Sequence, residues 1–550
     1  MPERSAHPLD AQVGIIGAGP VGLTLAGRLA QRGVSVLLLE QHPRLTGEGS
    51  RALCMQRETL EIWARLGVGE QVAKRGVQWS IGRTYFRGRE LFSVRLPGAG
   101  DEHFPPFVNI NQTEVEALLL EHVQALRTVD LRWGHQLSAV AQDRDGVDLR
   151  ARTDAGEGAE AHFRVRYVVG TDGAHSAVRR LLGMGFPGHS HDDLFLICDI
   201  RTRLPFPDER RFHFDPPWNP GRQVLIHPQP DHTWRIDWQV PLGTDVEAER
   251  VNGRLDRRIR AVIGADTAYE LVWVTAYRFN QRVVDRYRVG RVLVAGDAAH
   301  VMSPFGARGL NSGAADAENL AWKLALVLAD QAPPDLLETY HAERRAAALE
   351  NLAVTDATMR FMVPRGPFRR ALRNAILRGS TRWPRLRRLV NSGRLAQPFV
   401  YAASPLVDAP ERPDPRLPLP GAVAPDARCG ELRSGAEAGP PLTRLRELFG
   451  GQFVALLVHD NPEAAARAGV RAAGLAWPAP VSVAVLGPAM PLTGMTVLTD
   501  PAGAVRSAYG GAGPRAFLVR PDGHLAGTLA LPRPEAVDGL SALVAQSIGA

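Results

Sequence analysis

The stretch AQVGIIGAGPVGLTLAGRLAQRGVSVLLLEQH, residues 11–42, decides how the chain folds. Gln12 to Ile16 is a short, mostly apolar run that stops at Gly17. Such a run, bounded by a turn residue, reads as a buried strand. Gly17, Gly19 and Gly22 then spell G-x-G-x-x-G. A helical pattern follows, with Leu23, Ala26, Leu29 and Ala30 on one side, and Ser35 to Leu39 makes a second strand closed by Glu40. Strand, glycines, helix, strand and terminal acid occur in order within about 30 residues, the context that separates a dinucleotide-binding unit from a chance glycine motif.

Each part has a physical task. The first glycine makes the tight turn, the second lets backbone N–H groups approach a pyrophosphate, and the third lets helix pack on strand. The helix N-terminus adds free N–H donors and a positive dipole. The candidate cofactor-binding residues are therefore Gly17, Ala18, Gly19, Pro20, Val21 and Gly22, with Glu40 placed for the ribose and Gln41 beside it. NAD, NADP and FAD all use this unit. The acid at Glu40 disfavours a 2′-phosphate, so NADP suits this site least.

Length and composition set the frame. A chain of 550 residues has room for about three domains. Its apolar fraction of 45% is that of an ordinary globular protein. No apolar run approaches the ~18 residues of a membrane helix. The N-terminus runs straight into a strand without a charged-then-apolar leader, so a cytoplasmic chain that engages no membrane is expected. Cys54, Cys198 and Cys429 are far apart and form no C-x-x-C, so neither a disulfide framework nor a metal site is expected. The net charge of +7 is spread without a basic block. It permits anionic ligands but does not argue for nucleic acid.

Two further segments carry chemistry. In RVRYVVGTDGAHSAVRRLLG, residues 164–183, Val165 to Val169 reads as a strand, Asp172-Gly173 as a turn and Ser176 to Leu182 as a helix. In residues 290–330, Val292 to Ala295 reads as a strand, and Gly296-Asp297 puts a carboxylate at its C-terminal end. Ligands of open parallel sheets sit outside those ends. A helical pattern starts at Leu310 and continues through Ala314, Ala317, Leu320, Ala321, Leu324 and Leu328.

In this order and spacing the three segments resemble the class A flavoprotein aromatic hydroxylases, in the phenol hydroxylase and 3-(3-hydroxyphenyl)propionate hydroxylase branch. The resemblance covers roughly residues 10–355. It implies that the first motif binds the ADP half of FAD, that Asp172 lies in a second fingerprint near FAD and the nicotinamide cofactor, and that Asp297 holds the ribityl chain. SRALCMQRETLEIW resembles the family's Arg-Ala segment, which makes Arg51 a pyrophosphate contact. NINQTEVEALLLEHV resembles the segment whose glutamine touches the cofactor, here Gln112. Pro304, Gly309, Leu310 and Asn311 fall in the loop and helix start that would face the flavin.

The expected fold class is α/β. A Rossmann-like FAD-binding domain would take residues 10–75, 109–184 and 285–330. An inserted β-sheet substrate domain would take 76–108 and 185–284, where RRFHFD, QVLIHP and TWRIDWQV read as short strands. A helical connecting region would take 331–404. Beyond a Pro-rich connector, 405–550 resembles the thioredoxin-like tail of the phenol hydroxylase branch. Lacking C-x-x-C, it cannot run dithiol exchange in the usual way.

The activity implied by the resemblance uses transient NAD(P)H and O₂ to hydroxylate a small phenolic or other aromatic substrate through a flavin C4a-hydroperoxide. A homodimer is compatible with it. Alternatives are a Baeyer–Villiger, epoxidising or antibiotic-tailoring monooxygenase of the same fold, a flavin-dependent reductase that does not use O₂, and a non-catalytic FAD-binding scaffold. Within SPFGARGLN, residues 303–311, Arg308 stands either beside the flavin, where a cation favours reduction and holds a phenolate, or in solvent or paired with an acid. His213, Arg235 and Asp237 are the further catalytic candidates, on strands of the inserted sheet beside His227 and Trp238. Arg235, Asp237 and Gln239 share a face by period 2. Leu53 and Cys54 are poor proton-transfer groups where some relatives carry a polar or acidic residue.

Overall fold

A computed structural model describes residues 9–45, 52–96, 102–154, 158–303, 306–364, 366–390, 397–432, 442–487, 490–511 and 513–549. The chain divides into two units. The first comprises 1–27, 35–317 and 346–397, and the second comprises 28–34, 318–345 and 398–550.

The first unit holds the sheet that the opening motif begins. Ala11–Ile16 pairs in parallel with Val36–Leu39 on one side and Glu160–Gly170 on the other. Val129–Arg132 extends it past Val36–Leu39, and Val292–Val294 past Glu160–Gly170, both in parallel. Helices cross between parallel strands, so the central strands are covered on both faces and read as near-continuous apolar runs. Val36–Leu39 is accordingly buried at all four positions. Between the first two strands runs the helix Pro20–Ala30. Gly309–Leu328 is helical as the apolar spacing required, and it is buried nearly all round, at Asp316, Glu318, Asn319 and Lys323 as well as at Ala314, Ala317, Leu320, Ala321 and Leu324.

The inserted segments supply seven strands of a second, eight-stranded sheet in the same unit, and His300–Val301 the eighth. Its order is His300–Val301, Glu270–Val283, Gly188–Arg201, Thr233–Val240, Gln223–Pro228, Arg210–Phe214, Ile81–Phe86 and Arg89–Arg95. All neighbours are antiparallel except Arg210–Phe214 with Ile81–Phe86. RRFHFD, QVLIHP and TWRIDWQV each form the strand their composition suggested.

This sheet has two different faces because successive side chains point opposite ways. Leu196, Cys198, Val224, Ile226, Trp234, Ile236 and Trp238 pack with Leu255, Ile259 and Ile263 of the helix Arg254–Ile263. That helix presents its apolar residues at a spacing of four, one stripe against the sheet. The alternate positions Phe195, Ile197, Leu225, His227, Arg235 and Asp237 face the other way, into a cavity.

The second unit contains a six-stranded sheet of Gly430–Leu432, Thr496–Thr499, Val481–Leu486, Phe453–Val458, Arg515–Val519 and Leu525–Ala530 in that order. Helices Pro462–Ala473 and Gly539–Ser547 cover one face, and the fold is thioredoxin-like. The same unit buries an ionic cluster. Glu343 accepts from Arg520 Nη1 at 2.6 Å and Nη2 at 3.0 Å, and from Lys323 Nζ at 2.7 Å. Ser404 Oγ and Asn319 Nδ2 also donate to it, at 2.6 and 2.7 Å. Arg520 in turn pairs with Asp522. The two cations and the pull of their charge hold the Glu343 carboxyl well below its ordinary range, against the effect of burial.

No helix among the described residues is long and apolar enough to cross a membrane. Breaking the ionic cluster should cost far more than breaking a surface pair, because Lys323 and Arg520 would keep one carboxylate between them inside the protein. Glu343→Gln is expected to destabilise the second unit by about 3–5 kcal/mol. A denaturant midpoint unchanged from the parent would show that the cluster does not hold this unit together.

Candidate functional site

One cavity of about 790 Å³ in the first unit is lined both by the glycine loop and by the inner face of the second sheet. The glycine loop behaves as its spacing requires. Gly17 has φ +106°, and a Cβ there would lie 2.7 Å from the Thr171 carbonyl oxygen. At Gly22 a Cβ would lie 2.0 Å from the Gly17 carbonyl oxygen, so helix and turn touch backbone to backbone. At Gly19 a Cβ would meet nothing within 4 Å. Bare backbone there faces open cavity, the room a pyrophosphate needs. Pro20 and Val21 also line the cavity, whereas Ala18 is buried behind the loop.

Glu40 and Gln41 stand at the cavity wall. Glu40 Oε2 accepts from the Ala18 N–H at 2.8 Å and Oε1 from the His42 N–H at 3.0 Å, which fixes the carboxylate against the loop. Gln112 opens the helix Gln112–Gln124, accepts from the Ala52 N–H at 3.2 Å and donates to Glu116 at 2.8 Å. Asp172 Oδ2 accepts from the N–H groups of Ala177 and Val178, at 2.6 and 3.1 Å. Its Oδ1 is buried without a hydrogen-bond partner among the described residues, and burial raises the carboxyl above its ordinary range.

Asp297 lines the cavity from the short turn Gly296–Ala298. Asp316 organises that turn from the helix Gly309–Leu328. Its Oδ2 accepts from the Gly296 N–H at 2.9 Å and lies 2.7 Å from His300 Nε2. Asp316 and His300 were not singled out from sequence; the Asp lies on the polar side of an otherwise apolar helix, which was the only signal available.

Gly309, Leu310 and Asn311 line the cavity at the start of that helix. Ser312 N–H bonds back to Arg308 O at 2.8 Å, so the three preceding N–H groups belong to the helix's open first turn. The Asn311 side chain has a structural task. Its Oδ1 accepts from the Gln56 N–H at 2.9 Å and Thr59 Oγ1 at 2.7 Å, and its Nδ2 donates to Cys54 O at 2.9 Å. Arg308 is buried at the cavity wall, not in solvent, and bonds Asn351, which donates to Ser312 Oγ at 2.9 Å. Arg51 and Pro304 lie outside the described residues.

Across the cavity stand Arg235 and Asp237, one face of the strand Thr233–Val240 as period 2 required. Arg235 makes a two-pronged pair with Asp199, with Nε and Nη2 each at 2.8 Å. Asp237 Oδ1 is enclosed without a partner among the described residues. Burial pushes its carboxyl up to about 7, with Arg235 pulling the other way and Asp199 adding to the rise. His227 Nδ1 is 3.9 Å from Cys54 Sγ. Burial, reinforced by Arg210 and Arg235, takes the imidazole down to about 3, and burial takes the Cys54 thiol up to about 12.

His213 is a correction. It does not line the cavity. Its ring stacks on Tyr85 at 4.3 Å, and burial lowers its imidazole to about 4. The cause is strand phase: on Arg210–Phe214 the residues 210, 212 and 214 share one side and 211 and 213 the other. The same phase brings Arg210, not singled out from sequence, into the cavity. Trp238 likewise turns away, into the core against the helix Arg254–Ile263. Gln239 is buried but does not reach the cavity.

Known proteins share this fold. A model of the FAD binding domain family matches residues 10–355. A 3-(3-hydroxy-phenyl)propionate/3-hydroxycinnamic acid hydroxylase of Comamonas testosteroni is 31% identical over 376 residues, an alignment covering 68% of this chain and 62% of that relative. This chain thus spans less than two thirds of that relative in the match. The flavin-dependent monooxygenase PieE, solved with FAD and substrate, superposes with a TM-score of 0.78 at 26% identity, over 98% of this chain and 100% of that one. Aklavinone-11 hydroxylase, solved with FAD and aklavinone, gives 0.77 at 26% identity, over 99% and 100%. The chain belongs to the FAD binding domain family, as an FAD-binding flavoprotein of the class A aromatic monooxygenase fold.

Proposed function

We propose that this chain uses NAD(P)H and O₂ to insert one oxygen atom into an aromatic substrate of the kind handled by antibiotic-tailoring enzymes. The observation that carries this reading is the joint cavity: a glycine cradle of dinucleotide type and an aromatic-lined sheet face enclose one space. The alignment of nearly the whole chain with PieE and aklavinone-11 hydroxylase supports the substrate class. A second reading, a hydroxylase of simple phenolic acids, is supported by the Comamonas relative.

Residues 10–75, 109–184 and 285–330 would hold FAD, and 76–108 and 185–284 the substrate. Gly17, Gly19, Pro20 and Val21 would cradle the pyrophosphate together with Arg51, and Glu40 with Gln41 the ribose. Gln112, Asp172 and Asp297 would border the rest of the cofactor, and the Pro304 loop with the N–H groups of Gly309, Leu310 and Asn311 its ring. FAD, when bound, supplies the hydride-accepting and oxygen-activating chemistry that no side chain provides. The chain's own residues bind, orient and move protons. Helix-start N–H groups and buried Arg308 stabilise negative charge at the ring. Phe195, Tyr277, Phe279, Trp79 and Phe107 flank the aromatic substrate and exclude water. Asp237, with Arg235 fixed by Asp199, accepts a proton from a substrate hydroxyl at its free Oδ1. The thioredoxin-like unit takes a structural part.

Purified holoenzyme with ¹⁸O₂ and NADH or NADPH tests the reading against aklavinone and 3-(3-hydroxyphenyl)propionate. The expected result is one ¹⁸O atom in product; reduced nicotinamide consumed with no label in any product would contradict it.

The proton-accepting role has a defined pH signature. Asp237 must be ionised to act, so kcat/KM should rise about tenfold per pH unit below about 7 and level off above it. Asp237→Asn should remove that step and lower kcat/KM by roughly a hundredfold or more. A variant that keeps both the step and the rate would assign the proton transfer to another group.

A further inference from the structure

Resting on the monooxygenase reading, we propose that Arg210 anchors an acidic oxygen of the aromatic substrate, a carboxylate or an ionised phenol, in the same cavity. The residue lies on the strand Arg210–Phe214, whose parallel register sets it opposite Gly82 of Ile81–Phe86. A Cβ built at Gly82 would sit 3.8 Å from Arg210 Nη2 and 3.9 Å from Nε, so the guanidinium lies along this bare stretch of backbone. From there it forms part of the cavity wall.

Its neighbours on the sheet show what is missing. Arg83 pairs with Glu209 at 2.7 Å and Glu90 at 2.9 Å, Arg211 with Glu209 at 3.1 Å, and Arg235 with Asp199 at 2.8 Å. Arg210 makes no ion pair among the described residues, and its Nε is enclosed without a hydrogen-bond partner. The groups that face it are Cys54 and His227, and burial keeps both of them uncharged near neutral pH. Asp237 does not fill the gap: no hydrogen bond or ion pair joins it to Arg210 among the described residues, and its own Oδ1 is without a partner there.

A guanidinium does not give up its proton, so it remains a full charge inside the cavity. Half-buried at the cavity wall with no carboxylate partner among the described residues, that charge is left incompletely satisfied by the protein. Its flat fork of donors is matched by a carboxylate or by a phenolate oxygen. Phe195, Tyr277 and Phe279 line the same space and would hold the ring that carries the acid. Arg210 and Asp237 then address two points of one substrate. The arginine fixes an anionic group, and the aspartate faces a hydroxyl, so the pair defines which ring edge is presented.

Titrating the oxidised full-length holoenzyme through its flavin absorbance tests this directly, without turnover. The probes are 2-naphthoate, its neutral counterpart 2-naphthamide, and 4-nitrophenol, whose visible band reports ionisation. Wild type should bind 2-naphthoate at least roughly tenfold more tightly than the amide, or bind 4-nitrophenol as the phenolate below its free pKa. The first result alone identifies a carboxylate as the preferred partner, the second alone a phenolate. Arg210→Met should abolish the preference, and Arg210→Lys should restore part of it. Should the methionine variant fail to fold, the lysine variant must still show a reduced preference. Absent or equal binding of the two naphthalenes, with no ionisation of 4-nitrophenol, overturns the proposal, as does a preference that persists in folded Arg210→Met. Loss of ¹⁸O incorporation with these binding results intact would instead count against the monooxygenase reading alone.

Discussion

The first unit depends on one close approach. Helix Pro20–Ala30 meets the turn before it so tightly that Gly22 has room for hydrogen alone. Thr171 closes the same junction from the neighbouring strand, its Oγ1 donating to Ile16 O at 3.0 Å and Gly17 O at 2.8 Å. Gly17 N–H reaches Leu39 O at 2.8 Å, so the carboxyl ends of three strands are tied at one point. That knot leaves Gly19 facing open space and aims the start of the helix at the cavity. Asp172, which follows Thr171, is placed beside the cradle by the same bonds.

The second constraint is the phase of the inserted sheet. Its strands Gly188–Arg201, Gln223–Pro228 and Thr233–Val240 give alternate residues to the apolar core under Arg254–Ile263 and to the cavity. The apolar face therefore fixes which polar residues enter the site, because a slip of one residue would send Arg235 and Asp237 into the core and Trp234, Ile236 and Trp238 into the cavity. Stability and chemistry are coupled through register. The polar groups held this way lie in a poorly solvated place, which is why Asp237 and His227 both sit far from their ordinary protonation behaviour.

The glycine loop, Glu40 and the strands of the inserted sheet were legible because their signals are local: a motif within about 30 residues, or alternation within a few. The pair Arg235 and Asp237 was legible for the same reason. His213 and Arg210 were not, since alternation says which residues share a face but not which face meets the cavity. The bonds Arg308 to Asn351, Asp316 to the turn at Gly296, and Asn311 to Cys54 O join positions far apart in sequence and follow only from packing. The C-terminal domain was legible from its Pro-rich connector, but the membership of 28–34 and 318–345 in the same unit was hidden. Helix Leu336–Met362 runs unbroken through the boundary at 345/346, and no change of composition marks it.

The central claim is that a dinucleotide lies over the bare backbone at Gly19, in the cavity that also takes the substrate. Gly19→Val tests it most directly, because a Cβ there would enter cavity space and meet nothing of the protein within 4 Å. The account predicts an unchanged melting profile of the FAD-free protein together with an FAD dissociation constant raised by roughly a hundredfold. A folded variant that binds FAD as tightly as the parent would contradict it.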